Sequence, residues 1–416
     1  MGAHDDLLKR FQPALRYDSN EQFFADSAAE FTEAPGIELR RAATADGASG
    51  AVIARSVPVA GEPKLTLEFL GPQTYGNGAK VQRTDVIGVQ GTDYRARYRR
   101  LRAARRDLAN RMYGHAVEVG GDIWLQYWFW YFYNDYQLAL GLGTHEGDWE
   151  MVQLRIHQGK PDVAVYTQHT SSQKRAWADV EKLASDPNRP VVYVARGSHG
   201  AYFDPGFHPT DAWYDIADGK RPAPADLTLE TVDDDAHAWL RWPGFWGDTK
   251  PRDSTAIFDA FSPTSPGTRS AWTNPGRLLD AATTAVARTP PRAPDVRIAR
   301  GRDNRLEIGY DFSDRDPQPR ALVVTVNSRD EKGVPPMTHT FEDVAAKRRG
   351  TLKTDIAIDP AHHYDIYAST VAGDPPVPSD STLTELDPAR PEPDRPFWQR
   401  VTRVLARVVA WIRGDR

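Results

Sequence analysis

The segment GTHEGDWE at residues 143–150 brings one imidazole and two carboxylates together, in His145, Asp148 and Glu150. Side chains of an extended strand alternate between its faces, so Asp148 and Glu150 point the same way. That face continues into Val152, Leu154 and Ile156, which places Glu150 at the start of the core side of its strand. Two ionised carboxylates there repel each other, and one pKa must rise unless a proton or cation lies between them. The segment therefore predicts a divalent cation, calcium or magnesium, as a cofactor.

A purely structural interpretation of the same residues stays open. Asp148 can cap a turn, Glu150 can pair with one of the many arginines, and His145 can be an ordinary loop histidine. The pattern H-x-x-D-x-E is short, and short patterns also occur by chance.

Two further histidines follow predicted strands. His169 ends KPDVAVYTQH, and His199 follows Ser198 in PVVYVARGSHG. Strand ends meet at sheet edges, so His169, Ser198 and His199 can reach the edge that holds His145 and form an additional site there. A histidine at a strand end is also ordinary, and the spacing alone does not bring the three together.

The element that must position these residues is the aromatic run WLQYWFWYFY at 124–133, which is too continuously apolar for a solvent-facing strand. Shorter strand candidates precede it between Gly, Pro and Asn turns, namely GIELR, AVIARSV, KLTLEFL and KVQRTDVIGV. After it, SSQKRAWADVEKLASDPNRP predicts a loop with a short helix. The fold class is therefore mainly β, a β-sandwich core with peripheral helices.

Residues 94–112, YRARYRRLRAARRDLANRM, predict a strongly basic helix. Its arginines cannot all share one face, so a solvated surface helix paired with acidic neighbours is favoured. The alternative is an anion-binding surface beside the central site, because arginine makes bidentate contacts to phosphate.

Composition limits the function classes. The 416 residues carry a net charge of −5 and have a pI near 6.1, which argues against a nucleic-acid partner. The absence of cysteine excludes disulfides and thiolate metal sites. The first residues show no secretory signal, and no run of apolar residues is long enough to span a membrane. We expect a cytoplasmic protein that associates peripherally with membranes.

Three domains are predicted. Residues 1–288 form the large β-sandwich domain, and the stiff segment Pro290–Pro294 leads into a second one. Residues 289–388 alternate at period two and resemble a fibronectin type III or immunoglobulin-like sandwich, a module that can bind a protein partner. Residues 389–416 form a Pro-rich spacer and a basic amphipathic helix.

The terminal helix predicts contact with a lipid surface, because a basic face and aromatic anchors are typical of interfacial helices. The predicted membrane-contact residues are Phe397, Trp398, Arg400, Arg403, Arg407 and Trp411. The alternative is a helix that docks back on the protein or pairs with a partner helix.

The motifs QYWFWYFYND, GTHEGDWEMVQLRI, YTQH, VVYVARGSHGAYFDPG and RWPGFWGD, in this order, resemble the vacuolar protein sorting-associated protein 62 family. The opening segment FQPALRYDSNEQFF is similar to the start of that family as well. The resemblance covers roughly residues 5–280. It implies a fold, and the name of the family refers to trafficking, but it does not imply that the protein catalyses a reaction.

GTHEGDWE is also similar to the GHRHDWE heptapeptide of the necrosis- and ethylene-inducing-like proteins. These are secreted cytolysins with a central β-sandwich, a divalent cation and sphingolipid head-group recognition. The resemblance implies Asp135, His145, Asp148 and Glu150 as metal ligands. Two departures are Gly147 in place of the second histidine and a different length of the connector from Asp135 to His145.

The leading functional hypothesis is a non-enzymatic, divalent-cation-dependent protein that binds a lipid or glycolipid head group, is membrane-associated and serves trafficking or a toxin-like role. The first alternative is a metal-dependent hydrolase of phosphoester or glycan substrates, in which the three histidines and two carboxylates hold a metal with an open position. The second alternative is a structural or adaptor protein whose acidic cluster only ties loops together.

Overall fold

A computed structural model describes residues 4–41, 50–88, 97–98, 100–101, 103, 110–136, 145–169, 171–209, 214–223, 227–247, 262–285, 294–301, 303–313, 318–330, 337–342, 344, 346–372, 377–379 and 382–389. The first part of the chain contains β1 (Ala14–Tyr17), β2 (Glu38–Arg40), β3 (Val52–Arg55), β4 (Val86–Gly88), β5 (Arg111–Val119), β6 (Asp122–Asn134), β7 (His145–His157), β8 (Lys160–Gln168) and β9 (Ser171–Ala176). It continues with β10 (Lys182–Leu183), β11 (Asp186–Val194), β12 (Ala201–Tyr202), β13 (Gly206–Pro209), β14 (Tyr214–Ala217), β15 (Arg221–Pro222), β16 (Thr228–Thr231), β17 (Phe245–Trp246) and β18 (Thr283–Thr284).

The remaining strands belong to a C-terminal group. They are β19 (Asp295–Arg300), β20 (Arg305–Asp311), β21 (Ala321–Ser328), β22 (Met337–Phe341), β23 (Arg349–Ala357), β24 (Tyr364–Ala372), β25 (Val377–Pro378) and β26 (Thr382–Leu386). Four α-helices within the described residues are short: α1 (Asp5–Arg10), α2 (Ala28–Glu33), α3 (Ser270–Thr273) and α4 (Pro275–Ala281). This content confirms the mainly β fold class with peripheral helices.

A seven-stranded sheet, in the order β16-β5-β6-β7-β8-β9-β18, forms the centre of the large unit. Its long strands β6 and β7 pair antiparallel, and the aromatic run lies in β6 as predicted. Side chains alternate along both strands, so each face receives half of the aromatic residues.

Both faces of this sheet are buried. Trp128, Trp130 and Trp149 pack on one side against the sheet β17-β4-β2-β3, which contributes Leu39 and Ile87. On the other side, a second cluster joins the central sheet to β1 and β11, and it includes Tyr127, Phe129, Tyr131, Leu15 and Val192. The core is therefore layered on both sides of the central sheet, which explains why β6 lacks the alternation of a half-exposed strand.

Three local predictions were wrong. The basic segment 94–112 is helical where described between residues 97 and 103, but Arg111 and Met112 already belong to β5. KLTLEFL contains a 3₁₀ turn at Leu67–Phe69 rather than a strand. In the segment predicted as loop and helix after residue 170, Ser171–Ala176 form β9, which continues the sheet by pairing with β8, and a 3₁₀ turn follows at Trp177–Asp179. The secondary structure of a segment with a weak local preference is decided by whether it pairs with a neighbouring strand. The sequence alone does not show which strand is its neighbour.

The C-terminal group forms two sheets, β19-β20-β23 and β22-β21-β24-β25, with β26 also paired to β24. Leu306, Ile308, Val324 and Ile366 meet between them in one apolar cluster. This arrangement agrees with the predicted fibronectin type III or immunoglobulin-like sandwich. The predicted boundary near residue 288 lies outside the described residues, so the division into domains stays a prediction.

One polar contact joins the two groups of sheets. The hydroxyl of Tyr367 in β24 accepts a hydrogen bond from Asn20 Nδ2 at 2.9 Å and one from Arg196. The guanidinium of Arg196 also lies 5.4 Å from the centre of the Tyr367 ring.

Among the described residues, no helix has the length and apolar character needed to cross a membrane. The terminal segment 390–416, with all six predicted membrane-contact residues, lies outside the described residues. Those contacts stay predictions.

Trp149 provides a test of the core. It has no exposed surface, and its ring lies 5.0 Å from that of Trp130 and 5.5 Å from that of Tyr113. We expect Trp149→Ala to lower the free energy of unfolding by about 3–5 kcal/mol, because a large cavity forms between the sheets. Urea denaturation measures this change. Val119→Ala, at a partly exposed position, should shift it by less than about 0.5 kcal/mol, and equal losses in both variants would contradict the layered core.

Candidate functional site

The candidate site lies where β6 ends and β7 begins. The antiparallel register places Asn134 opposite His145, Tyr131 opposite Asp148, and Phe129 opposite Glu150. Asp148 and Glu150 therefore share the face of Tyr131 and Phe129, as the alternation predicted. Both carboxylates are buried, with 6% and 9% of their surface exposed.

Asp148 is held as an ionised group by its neighbours. Its Oδ2 accepts a hydrogen bond from His199 Nδ1 at 2.9 Å and one from Asn134 Nδ2 at 3.4 Å. Burial by itself raises the pKa of Asp148, but the bond from His199 and the nearby His145 outweigh it, so this pKa lies below its usual value.

Glu150 has the opposite character. Burial, and next the charge of Asp148, raise the pKa of Glu150 well above its usual value. Its Oε2 accepts a hydrogen bond from Thr167 Oγ1 at 3.1 Å, which opposes the rise in the pKa of Glu150. The same hydroxyl also lies 2.6 Å from the carbonyl oxygen of Met151, so two acceptors compete for its one hydrogen.

His145 lies beside this pair with a defined tautomer. Its Nδ1 is 2.7 Å from the carbonyl oxygen of Gly147 and must donate to it, which leaves Nε2 with a free lone pair. Burial lowers the pKa of His145 despite the charge of Asp148, so the ring is neutral at neutral pH. A neutral imidazole with a fixed tautomer is the form that binds metals.

Gly147 accounts for the departure from the cytolysin heptapeptide. Its φ of +69° lies in the left-handed region, and a Cβ there would collide with the carbonyl oxygen of Trp246 and the ring of Trp130. The position that holds the second histidine of the heptapeptide therefore cannot carry a side chain here.

The backbone of Asp135, the fourth ligand that the resemblance implied, lies against the turn of residues 195–200. A Cβ on Gly197 would be 2.8 Å from the carbonyl oxygen of Asp135, so the two segments are in close contact. Asp135 thus lies beside the turn that carries Ser198 and His199, while the connector 137–144 lies outside the described residues.

The structure divides the predicted additional site in two. His199 faces Asp148, whereas His169 and Ser198 both bind Asp215, through His169 Nε2 at 3.0 Å and Ser198 Oγ at 2.7 Å. Tyr202 donates to the same carboxylate at 2.6 Å. Burial alone would lower the pKa of His169, but the bond to Asp215 raises it. Asp215 thus accepts three hydrogen bonds and holds together the segments that carry His169 and Ser198.

Both histidines next to these carboxylates have a strained backbone. His169 has a φ of +51° and His199 a φ of +58°, in a region that non-glycine residues seldom adopt. Such strain persists only where surrounding contacts fix it, and it is concentrated at functional sites. For His199 the fixing contacts are Asp148 and the ring of Tyr131, which stacks on the imidazole at 3.8 Å.

Sequence reasoning missed Glu21, Tyr131 and Asp215. Glu21 accepts the backbone N–H of Gly197 at 2.6 Å and has Oε1 3.8 Å from His199 Nε2. Nothing in the sequence around Glu21 connects it with a segment so distant along the chain. Tyr131 could have been predicted from the sequence, because strand alternation and antiparallel pairing place it opposite Asp148.

The donor set suits a hard cation. Asp148 and Glu150 supply carboxylate oxygens, and His145 supplies a neutral imidazole beside them. Two carboxylate oxygens and one imidazole match the ligands that oxygen-preferring divalent ions take in proteins. In the part of the chain that the structure describes, however, no group of three or more histidine or acidic side chains is assembled to hold a metal ion. The metal site stays a prediction.

Comparison with known proteins agrees with the resemblance drawn from the motifs. No family model matches the chain. It is 26% identical over 171 residues to a candidate vacuolar protein sorting-associated protein, TDA6, and 24% identical over 177 residues to vacuolar protein sorting-associated protein 62, both of Saccharomyces cerevisiae. These matches cover 31% and 32% of this chain and confirm the resemblance to that family. The chain spans only 36% and 37% of the length of the two relatives.

The solved structures that match this chain resemble it only weakly. One titled "Toxin fold for microbial attack and plant defense" has 12% identity, a TM-score of 0.32, and coverage of 68% of this chain and 90% of that one. The fn3 domain of the human collagen alpha-1(XX) chain has 15% identity, a TM-score of 0.20, and coverage of 27% and 98%. Neither value supports a functional conclusion.

Because the pKa of Glu150 is raised, we expect the free energy of unfolding, measured in the presence of a chelator, to depend on pH. When the pH rises above the usual glutamate pKa of about 4.3, the unfolded chain releases this proton while the folded chain retains it, so the contribution of Glu150 to stability falls. Glu150→Gln cannot ionise. We expect its free energy of unfolding to exceed that of the wild type at pH 8, and the difference to shrink towards pH 4.

Urea denaturation at both pH values measures this difference. Glu342→Gln, at an exposed acidic residue of the C-terminal group, is the matched control and should leave the pH dependence of the wild type unchanged. A constant offset for Glu150→Gln between pH 4 and pH 8 would mean that Glu150 is ionised in the folded protein without a cation.

Proposed function

We propose that this chain is a divalent-cation-dependent protein that binds a lipid or glycolipid head group at a membrane surface, without catalysing a reaction. The observation that carries the proposal is the pair of buried carboxylates, Asp148 and Glu150, on one face of β7 beside the neutral ring of His145.

The carboxylate pair supports a cation better than a purely structural role. The charge of Arg269 lowers the pKa of both carboxylates, but among the described residues it forms no hydrogen bond or ion pair with either, and the pKa of Glu150 stays raised. Without a cation the pair relies on His199, on the charge of Arg269 and on a proton on Glu150. A bound calcium or magnesium ion would neutralise both carboxylates and offer further positions to oxygen ligands.

A head group rich in hydroxyl or phosphate oxygens fits those positions. Calcium takes six to eight oxygen ligands, and three protein donors leave several for an external molecule. The two curated relatives are named for vacuolar protein sorting, which supports a ligand at a membrane. The sequence adds a second membrane element in the basic amphipathic segment 397–413.

Isothermal titration of the chelator-treated full chain with calcium and with magnesium tests the cation. We expect saturable binding of at least one ion, and Asp148→Asn should weaken it by about tenfold or more, because it removes one negative ligand. Asp162→Asn is the matched control, since Asp162 pairs with Arg155 outside this site. Equal heats of binding for the wild type and Asp148→Asn would contradict the proposal that Asp148 binds a cation.

Vesicle flotation tests the ligand. We expect the chain to bind phosphatidylcholine vesicles that contain a neutral glycosphingolipid, and chelator should reduce this binding several-fold because the head group loses its cation. The triple variant Arg400→Gln, Arg403→Gln and Arg407→Gln should weaken binding to vesicles with anionic lipid but keep the response to chelator.

Other outcomes identify the alternatives. Release of phosphate or sugar from the vesicles, lost on chelation, would favour the metal-dependent hydrolase. A lower melting temperature in chelator with unchanged vesicle binding would favour the structural or adaptor protein.

A further inference from the structure

The loop that follows β3 exposes a cluster of apolar side chains. Its tip, residues 57–61, reads Val-Pro-Val-Ala-Gly, and Val57 and Val59 are 61% and 59% exposed. Among the described residues, the other large apolar side chains with comparable exposure are Val119 and Met337, which stand singly on distant strands. Single exposed apolar residues are ordinary, but two of the most exposed ones at one tip are not.

The loop is held in shape by its own base. Arg55 pairs with Glu62 and, at 2.8 Å, with Glu38. Across the tip, the backbone N–H of Glu62 donates to the carbonyl oxygen of Val59 at 3.0 Å, and the N–H of Val59 is 3.3 Å from Glu62 Oε2. These bonds keep the valines in water instead of letting the loop fold them inward.

The same bonds make the tip suitable for an apolar medium. Its side chains contain no polar atom, and valine and proline have little conformational freedom left to lose on binding. The charges at the base nearly balance, because Arg55 faces Glu38 and Glu62, and Lys64 lies 3.4 Å from Glu33. Insertion of the tip would therefore remove apolar surface from water without burying an unpaired charge.

The tip projects from the end of the small sheet that adjoins the candidate site. Glu38 pairs with Arg55 on one side and with Gly88 on the other, and β17 runs parallel to β4. The residue after β17, Gly247, therefore lies in the same row as Arg55. It packs so closely against the carbonyl of Glu146 that a Cβ would collide with it.

This row links the base of the tip to the start of β7. Glu146 stands between His145 and Gly147 there. From β17 to β3 the row crosses three strand spacings, a lateral distance of about 15 Å. Asp148 and Glu150 lie on the other face of the central sheet, so a membrane contact at the tip is separate from the candidate cation site.

The size of the tip favours a bilayer over a protein partner. A stable protein interface buries about 800 Å² on each side and involves 20–30 residues. The apolar tip has four side chains and is followed at once by the ion pairs of its base. A few apolar side chains suffice to enter the interfacial region of a bilayer, where adjoining charged groups remain hydrated.

We propose that residues 57–60 insert into the interfacial region of a lipid bilayer. This inference rests on the proposed function, which supplies the membrane as partner. It adds the residues by which the folded part of the chain contacts that membrane. Insertion is hydrophobic and does not require the cation.

A single-site probe tests the insertion, because the chain contains no cysteine. Val59→Cys in the full chain, labelled with an environment-sensitive fluorophore, is mixed with phosphatidylcholine vesicles containing neutral glycosphingolipid. We expect a blue shift and an intensity increase of about twofold or more, and no change for Val119→Cys labelled in the same way. No shift at residue 59 would overturn the inference, whether or not the protein floats with the vesicles.

A second pair of variants measures the contribution to binding. Val57→Ser combined with Val59→Ser should weaken vesicle partitioning by about tenfold, because two apolar side chains become polar, whereas Val119→Ser combined with Met337→Ser should not change it. Circular dichroism confirms that each variant is folded. Equal partitioning of the two double variants would overturn the inference.

Two further outcomes separate this inference from the proposed function. A shift at residue 59 that survives chelation, in a protein that shows no calcium or magnesium binding, would keep the membrane tip and remove the cation-dependent function. A shift that appears with cell extract depleted of lipid, and not with vesicles, would overturn the bilayer as partner and make the tip a protein-docking loop.

Discussion

The structure around the candidate site depends on one electrostatic constraint: two carboxylates lie side by side on a strand whose two faces are both buried. Asp148 and Glu150 cannot both be ionised there unless positive charge is supplied. The protein itself supplies part of it: the hydrogen bond from His199 stabilises ionised Asp148, and the charge of Arg269 lowers the pKa of both carboxylates. Glu150 is left with a strongly raised pKa and shares the single hydrogen of the Thr167 hydroxyl with the carbonyl oxygen of Met151.

The surrounding elements are arranged so that this pair remains in place. The backbone of Trp246 closes over Gly147 and fixes where β7 begins, and the turn at residues 195–200 carries His199 to Asp148 in a strained conformation. That turn is held from the other side by Glu21, which binds the N–H of Gly197. An arrangement that accepts backbone strain to keep a histidine on a carboxylate is more typical of a functional site than of a site that only stabilises the fold.

Arg196 extends the same network to the C-terminal sandwich. It stands in this turn, and its guanidinium contacts the hydroxyl and the ring of Tyr367. The candidate site is therefore linked to the second group of sheets through a single turn.

The sequence by itself determined the features that follow from local rules. The aromatic run had to be a buried strand, Asp148 and Glu150 had to share a face, and the alternating pattern after residue 290 had to form a sandwich, because strand periodicity is a property of the chain. Tertiary structure alone decided which residues meet from distant segments: His199 and not His169 at Asp148, Asp215 as the partner of His169, and Glu21 behind the turn. It also decided that residues 171–176 are a strand, since pairing with β8 outweighs their weak local preference. The physical reason is that periodicity fixes the face of a residue, whereas the partner on that face depends on how layers far apart in the chain are stacked.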